Sequence, residues 1–462
     1  MILRYLSSPK SFPVWFVIAA WVGTRTSVPL PLWIGIGGFG LALLLRRRTV
    51  LLVATLLLAS IGTFNANQGL RPLANQPFEG RVTLVRDPGV SYSQTRVDVR
   101  TSVGRVELGA WGPSGTRLSR LSAGDSVYVS GTISPLTHPE RARSRHVRAR
   151  LVVQRLDSIR RAGVPLGLVN VARSVVLAGG QTLSDVQRPV YGGFLLGDDR
   201  GRSPQITTDF KRAGLTHLLV VSGQNVAFLI AVASPVLTRL QRRTRLLCLL
   251  SLLLLFVAMT RFEPSILRAT AMAVVAGVGV AGGRPMLAVQ RLAVGIGVLL
   301  LLDPLLSDSF GFRLSVAATL GIITLGSWMA PRFSGPEWFR NGLAVTLSAQ
   351  CAVAPLIVPI FGPMRVISIP ANVIVGPVAG FVMMWGTTVG VLAGLFGGAV
   401  SAIIQSPVRV ALWWILWVAH VASALPSPSV DLPMIGAIVA GVVVFLQVRS
   451  RRRARHGTAL PG

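Results

Sequence analysis

The stretch Phe210-Lys211-Arg212-Ala213-Gly214-Leu215-Thr216-His217-Leu218-Leu219-Val220-Val221-Ser222-Gly223-Gln224-Asn225-Val226-Ala227-Phe228-Leu229 runs into an apolar segment, about 214 to 238, that is long enough to span a membrane. It nevertheless carries His217, Ser222, Gln224 and Asn225 inside it. A polar group at membrane depth is costly unless it meets a partner or water. Read as one helix, the segment puts His217, Val221, Gln224, Asn225 and Phe228 on a single stripe. That stripe is expected to line a pathway, with Ser222 and Gly223 beside it. The plainer alternative is that small and amide residues join helices to one another.

Three further stretches follow in order: Pro264-Ser265-Ile266-Leu267-Arg268-Ala269-Thr270-Ala271-Met272, then Asp303-Pro304-Leu305-Leu306-Ser307-Asp308-Ser309-Phe310-Gly311-Phe312-Arg313-Leu314-Ser315, then 350–377 with Ala-Pro-Leu, Phe-Gly and Ala-Asn-Val-Ile-Val-Gly-Pro. Together with Gly214 to Val226, these resemble the signature of the ComEC family over roughly 190–425. The resemblance implies an inner-membrane channel that carries single-stranded DNA into naturally competent bacteria. Many members continue into a metallo-β-lactamase-like domain. This sequence has no His-x-His-x-Asp-His cluster, and its histidines at 138, 146, 217, 420 and 456 are scattered. Degradation of the non-transported strand is therefore expected to fall to a separate nuclease. Gln224-Asn225 stands where relatives often have Leu-His.

Composition fixes the class independently of any motif. Apolar residues make up 51%, charged residues 13%, and the mean hydropathy is +0.61, the profile of a polytopic membrane protein rather than a soluble one. Cations outnumber acids, 46 Lys and Arg against 16 Asp and Glu. Cys248 and Cys351 both lie in apolar runs, so neither a disulfide framework nor a thiolate metal site is indicated.

Residues 1–69 read as N-terminal membrane helices, with apolar runs near 12–23, 28–45 and 49–65 and Arg46-Arg47-Arg48 on the cytoplasmic side. Residues 70–165 turn polar and alternating, with strands expected near 80–85, 95–100, 105–108, 125–133 and 147–153. Five short strands suggest an OB-like barrel, and the topology places it outside the cell. Between 79 and 161 fifteen arginines face seven acids, a surplus where the positive-inside bias does not put one. Arg141, Arg143, Arg145, Arg148 and Arg150 mostly alternate, so they could share one strand face and bind a phosphate backbone. Attraction to anionic lipid or wall polymer is the competing reading. Tyr92, Trp111 and Tyr128 are few for base stacking.

Residues 166–213 read as amphipathic interfacial helices. Asp198, Asp199 and Asp209 there lack a metal-ligand spacing and are expected to be loop or cap residues. Residues 214–449 read as the channel core, with nine spans near 214–238, 246–260, 264–283, 286–302, 310–330, 341–361, 366–395, 402–424 and 431–449, followed by a basic tail, 450–462. The whole is a polytopic α-helical membrane protein of about twelve spans in the bacterial plasma membrane, with both termini cytoplasmic.

On that topology Arg268, Asp303, Arg313 and Asn372 join His217 toward the outer side, while Gln350 joins Gln224 and Asn225 near mid-membrane. Internal pairing of Arg313 with Asp303 or Asp308, and of Arg268 with Glu263, is the alternative. Pro355, Pro359, Pro363, Pro370 and Pro377 are expected to break the helices between 350 and 380.

No Walker loop is present, so the expected partners are the lipid bilayer, single-stranded DNA, a DNA receptor and a cytoplasmic translocase, with no cofactor, metal or catalytic residue. The oligomeric state is left open. Two other functions fit parts of the pattern: transport of another polyanionic or lipid-linked substrate, and an intramembrane hydrolase using Ser222 with His420. Replacing Arg268 or Arg313 by Ala is expected to lower DNA uptake while leaving the protein in the membrane fraction. Loss of the folded protein would instead mark these arginines as structural.

Overall fold

The computed structural model describes residues 11–45, 47–91, 94–431 and 433–434. Tyr92, the greater part of the span expected at 431–449 and the tail 450–462 lie outside them. The chain is mostly helical with one β domain. Among the described residues six helices are long and apolar enough to cross a membrane: Arg48–Gln68, Pro264–Ala281, Phe310–Arg332, Glu337–Phe361, Ser368–Thr387 and Ser406–Ala424. The apolar helices Phe12–Gly23, Leu32–Leu45, Gly223–Leu237 and Ala288–Leu302 are shorter.

The expected span 366–395 is two helices, Ser368–Thr387 and Val389–Phe396, and the expected 402–424 is also divided, into Gly398–Ile404 and Ser406–Ala424. Pro355 and Pro359 lie within the continuous helix Glu337–Phe361, and Pro377 lies within Ser368–Thr387. The chain breaks after Phe361 instead, where Gly362 takes a positive φ and Pro363 follows.

The β domain has strands β1 (Gln76–Leu84), β2 (Gly89–Ser91), β3 (Gln94–Thr101), β4 (Gly104–Ala110), β5 (Ser126–Ser134) and β6 (Ala149–Arg160). Their order is β1-β5-β6-β4-β3-β2, and pairing of Thr83 with Arg100 and Leu84 with Val99 closes five of them into a barrel. All these pairs are antiparallel except β4 with β6. A helix, Gly112–Ser119, separates β4 from β5. The alternation in the sequence does what period two requires: Val82, Leu84, Val97, Val99, Val106, Leu108, Val127, Val129, Ile133 and Leu151 turn inward and form a closed apolar core.

Two compact units are distinguishable among the described residues. One draws on Met1–Arg202, Leu219–Arg313 and Val382–Arg409, and holds the barrel. The other draws on Ser203–Leu218, Leu314–Phe381 and Val410–Gly462. In the first, the barrel is tied to helical residues through buried ion pairs. Asp87, between β1 and β2, accepts from Arg261 Nη2 at 2.8 Å and Nε at 3.1 Å, and from the Ala123 amide at 2.9 Å. Arg173, on the helix Leu166–Ala178, lies 3.1 Å from the same carboxylate and 3.3 Å from Asp198. Asn170 completes the link, accepting from Arg261 and donating to the Ala123 carbonyl. In the second unit, the helical residues 314–332 contain a π turn at Ile322–Gly326 that packs on Glu337–Phe361.

Burial opposes ionisation of Asp87, but Arg173, Arg261 and the Ala123 amide together outweigh it and hold the carboxyl below its usual range. Asp87→Asn leaves the buried Arg261 without its anion and Arg173 with Asp198 alone, and is expected to cost about 3–5 kcal/mol at neutral pH. A depressed folded-state pKa stabilises above the unfolded value of about 3.9 and is lost as pH falls through the folded one. Thermal unfolding of the purified chain should therefore show a large gap between parent and variant at pH 7 that closes in strong acid. A gap of constant size would contradict this account.

Candidate nucleic-acid interface

Asp308 is the acceptor at which the barrel meets the helical segments of its unit. It ends the short 3₁₀ turn Pro304–Asp308, whose first amides are capped by Asp303 through a 3.1 Å bond to Leu305 N. Three arginines from three distant parts of the sequence converge on Asp308: Arg25 at 3.3 Å, Arg143 at 3.1 Å and Arg313 at 3.5 Å. Arg143 also donates to Asn67 Oδ1, and Arg313 to the Ser307 carbonyl. His146, in the left-handed region, lies 3.0 Å from Asp303. One carboxylate facing three guanidiniums leaves a local positive excess. The three arginine side chains keep 45%, 39% and 33% exposure, so that excess is accessible to an anionic guest.

The outer face of β3 and β4 continues this surface. Cross-strand register sets Asp98 opposite Glu107 and Arg100 opposite Arg105. Arg145 spans both acids, at 2.6 Å from Asp98 and 2.9 Å from Glu107, and Arg150 reaches Glu107 at 3.3 Å. Burial, the largest influence, pushes the Asp98 carboxyl above its ordinary range despite Arg145. At Glu107 burial is outweighed by the Arg145 hydrogen bond and by the charges of Arg145 and Arg150, which hold the carboxyl below it. Arg96 donates to Gln94, whereas Arg100 is exposed with no partner among the described residues. Arg105 Nη1 donates to the Arg145 carbonyl at 3.4 Å.

The arginine run expected on one strand is arranged differently. Arg141 lies on the short helix Pro139–Ala142, Arg143 and Arg145 on the 3₁₀ turn Arg143–Arg145, and only Arg150 on β6. Pro139 sets the helical φ at the first position of that short helix and interrupts the alternation. Arg148 donates to the carbonyls of Arg71 and Val103. Arg141 alone of the five is fully exposed.

The signature stretch also departs from a single helix. Thr216–Leu219 is a 3₁₀ turn, the chain bends at Val220 and is extended at Ser222, and the helix is Gly223–Leu237. His217 therefore does not share a stripe with Gln224 and Asn225, and those two diverge as well, Gln224 exposed and Asn225 buried. Ser222 caps the helix by accepting from Gln224 N, and Ser265 Oγ donates to the Val221 carbonyl at 2.6 Å. Asn225 Nδ2 donates to the Phe194 carbonyl at 2.7 Å. The Arg268 guanidinium lies so close over Gly223 that a β-carbon there would be 2.9 Å from Nη2. Glu263, offered as a partner for Arg268, is instead 3.9 Å from Arg86.

Gln350 and Asn372 belong to the other unit. Gln350 Nε2 donates to Ser368 Oγ at 3.1 Å, and Asn372 Nδ2 donates to the carbonyls of Ser368 and Gly214. Arg365 caps helix ends there by donating to the carbonyls of Arg212, Ser423 and Leu425. The ten expected pathway residues thus divide among three places: the start of Gly223–Leu237 with Arg268, the Asp303–Arg313 segment, and the Gly214–Ser368 contact with Gln350 and Asn372, near which His217 follows in sequence.

Ser222 and His420 have other engagements. Ser222 Oγ serves as a cap, while His420 Nδ1 lies 3.0 Å from Asp209, which also accepts from Ser423. Asp198 is held by Arg173 and Arg200. Among the described residues no group of three or more His, Cys, Asp or Glu could hold a metal ion. Arg25 and Asn67 had no local signal in the sequence, since their meeting with Asp308 and Arg143 depends on long-range packing.

Gly214 has φ +71, and a β-carbon on it would fall 2.3 Å from Ser368 Cβ. Gly214→Ala is expected to cost about 1–2 kcal/mol for the left-handed backbone alone, plus the clash. Adding Ser368→Gly should recover only the clash, which thermal unfolding of the single and double variants separates. Full recovery would contradict the backbone term.

A profile described as "Competence protein" matches residues 194–452. ComE operon protein 3 of Bacillus subtilis (strain 168) is 30% identical over 209 residues, which cover 44% of this chain and 26% of that protein. The match thus takes in about a quarter of the relative's length. No solved structure matches the chain. With more than half its length inside the family match and its apolar helices in place, this membrane protein belongs to the ComEC family of competence proteins.

Proposed function

We propose that the chain conducts single-stranded DNA across the bacterial plasma membrane during transformation, as a channel without catalytic chemistry of its own. The observation that carries the reading is Asp308, where one carboxylate gathers arginines from the barrel, from the N-terminal segment and from the start of a membrane helix. A phosphate backbone supplies the negative charge that this surface lacks. Family membership supports the cargo, and the exposed arginines of β3 extend the track.

We read the barrel as OB-like. Five strands close on themselves, and the second and third of them, β3 and β4, present the charged face that such barrels use for oligonucleotides. In this reading the barrel lies outside, both termini lie inside, and the six long helices, the four shorter ones, the helix Arg242–Met259 and the stretch 431–449 make up about twelve spans. The strand, in this reading, passes the turn at Ser222 and Gly223 and the exposed Gln224, driven by a cytoplasmic translocase, with a receptor delivering DNA and a separate nuclease removing the other strand.

The full chain in zwitterionic nanodiscs is expected to bind a fluorescent oligothymidylate with an affinity that falls steeply as salt rises. Arg100→Ala should lower the slope of log affinity against log salt by about one. Equal affinity for heparin would favour another polyanionic substrate. Absence of oligonucleotide flux in proteoliposomes would refute conduction.

A further inference from the structure

The connector that follows the helix Arg48–Gln68, the loop after β5 and the short helix Pro139–Ala142 enclose a cleft of about 310 Å³. Leu70, Pro72, Pro135, Leu136, Pro139 and Val147 wall it. The three prolines bring no amide donor and a fixed backbone, so much of the wall is stiff and asks for no polar partner. Val147 is buried, Leu70 and Leu136 are half-buried, and the prolines are exposed, which leaves the cleft open to solvent.

Arg143, Arg148 and Glu140 complete the lining. Arg143 is the same guanidinium that meets Asp308 at 3.1 Å, so the cleft and the Asp308 surface share a side chain. Arg148 donates to the carbonyls of Arg71 and Val103 and brings its charge without a carboxylate. Glu140 lies 3.4 Å from His138. Arg25, Arg143, Arg148 and Arg313 thus stand against Glu140, Asp303 and Asp308. Asp98 and Glu107 enter this count only together with Arg145 and Arg150, so positive charge remains.

An apolar cleft with a cation at its edge suits a group that is a flat ring at one end and an anion at the other. A nucleotide has that form. The volume stands at the lower limit of ligand cavities, which admits one base but no base pair. A base in a duplex is stacked and paired, whereas a base in a single strand turns out at little cost. The charge at Asp308 cannot make that distinction, because a duplex presents phosphates more densely than a single strand does. We infer that the cleft receives one base of a single strand while the adjoining phosphate lies against Arg143, and that this contact selects single strand over duplex. Walls of leucine, valine and proline hold any base by burial alone, which keeps the contact indifferent to sequence. The inference rests on the reading of the Asp308 surface as a DNA track.

The test uses the full chain in phosphatidylcholine nanodiscs and two single-stranded probes of equal length, an oligothymidylate and an oligomer of abasic residues. Both carry the same phosphates, and only the first carries bases. The oligothymidylate is expected to bind about ten-fold more tightly at one salt concentration. Leu136→Asn should bring the two affinities together while leaving the abasic oligomer and the salt slope unchanged. Pro72→Ser should act the same way, and it serves if the Leu136 variant does not fold. Binding of a duplex should show no dependence on either residue.

Equal affinities in the parent protein, or a ratio unchanged in both variants, would overturn the base site and leave the charged track standing. Should phosphatidylglycerol then raise the unfolding temperature of the parent but not of the Leu136 variant, the cleft is a lipid site instead. Failure of both oligomers to bind would refute the DNA reading of the Asp308 surface, and the base site with it.

Discussion

An arginine taken out of water must be given an acceptor, and this chain has 46 Lys and Arg but only 16 Asp and Glu. Its architecture follows from how those few carboxylates are shared. Asp308 serves three arginines, while Asp87, Asp198 and Glu107 each serve two. Because the partners come from different segments, each shared acid is also a joint. The barrel is fixed to the helical residues of its unit at two such joints, one at Asp87 and one at Asp303 and Asp308. At Asp308 three arginines share one carboxylate, so a structural joint also carries exposed positive charge.

Backbone groups impose the second constraint. Non-helical chain between Thr216–Leu219 and Gly223–Leu237 would leave amides and carbonyls unmet in an apolar setting. The structure answers with side chains: Ser222 caps the helix, Ser265 donates to Val221, Asn225 donates to Phe194, and Asn372 donates to Gly214. Polar residues that read as pathway lining are, at these positions, also what holds an interrupted segment together. Both roles can belong to one residue, since a segment that lines water must still satisfy its own backbone.

The family match begins at residue 194, after the barrel. The reading of the barrel therefore rests on its own geometry: the closed strand order, the outward charges on β3 and β4, and the contact of Arg143 and His146 with the Asp303–Asp308 segment.

Local pattern alone determined the membrane class, most of the helices and the strands of the barrel. Apolar run length and period-two alternation are properties of neighbouring residues, and Val97, Val99, Val106 and Leu108 announce their inward face without any partner. Family membership was legible for the same reason, being carried by short contiguous stretches such as Gly214 to Val226. The break at Val220 to Ser222 was not, because apolar residues there suit a helix as well as a turn and distant Ser265 and Phe194 supply the compensating bonds. Nor was the fate of the arginines. Whether Arg143 stays free for a phosphate or takes Asp308 depends on a residue 165 positions away, and Arg25 meets the same acid across 283. Charge is written in the sequence residue by residue, but its neutralisation is a property of pairs, and only the tertiary structure brings those pairs together.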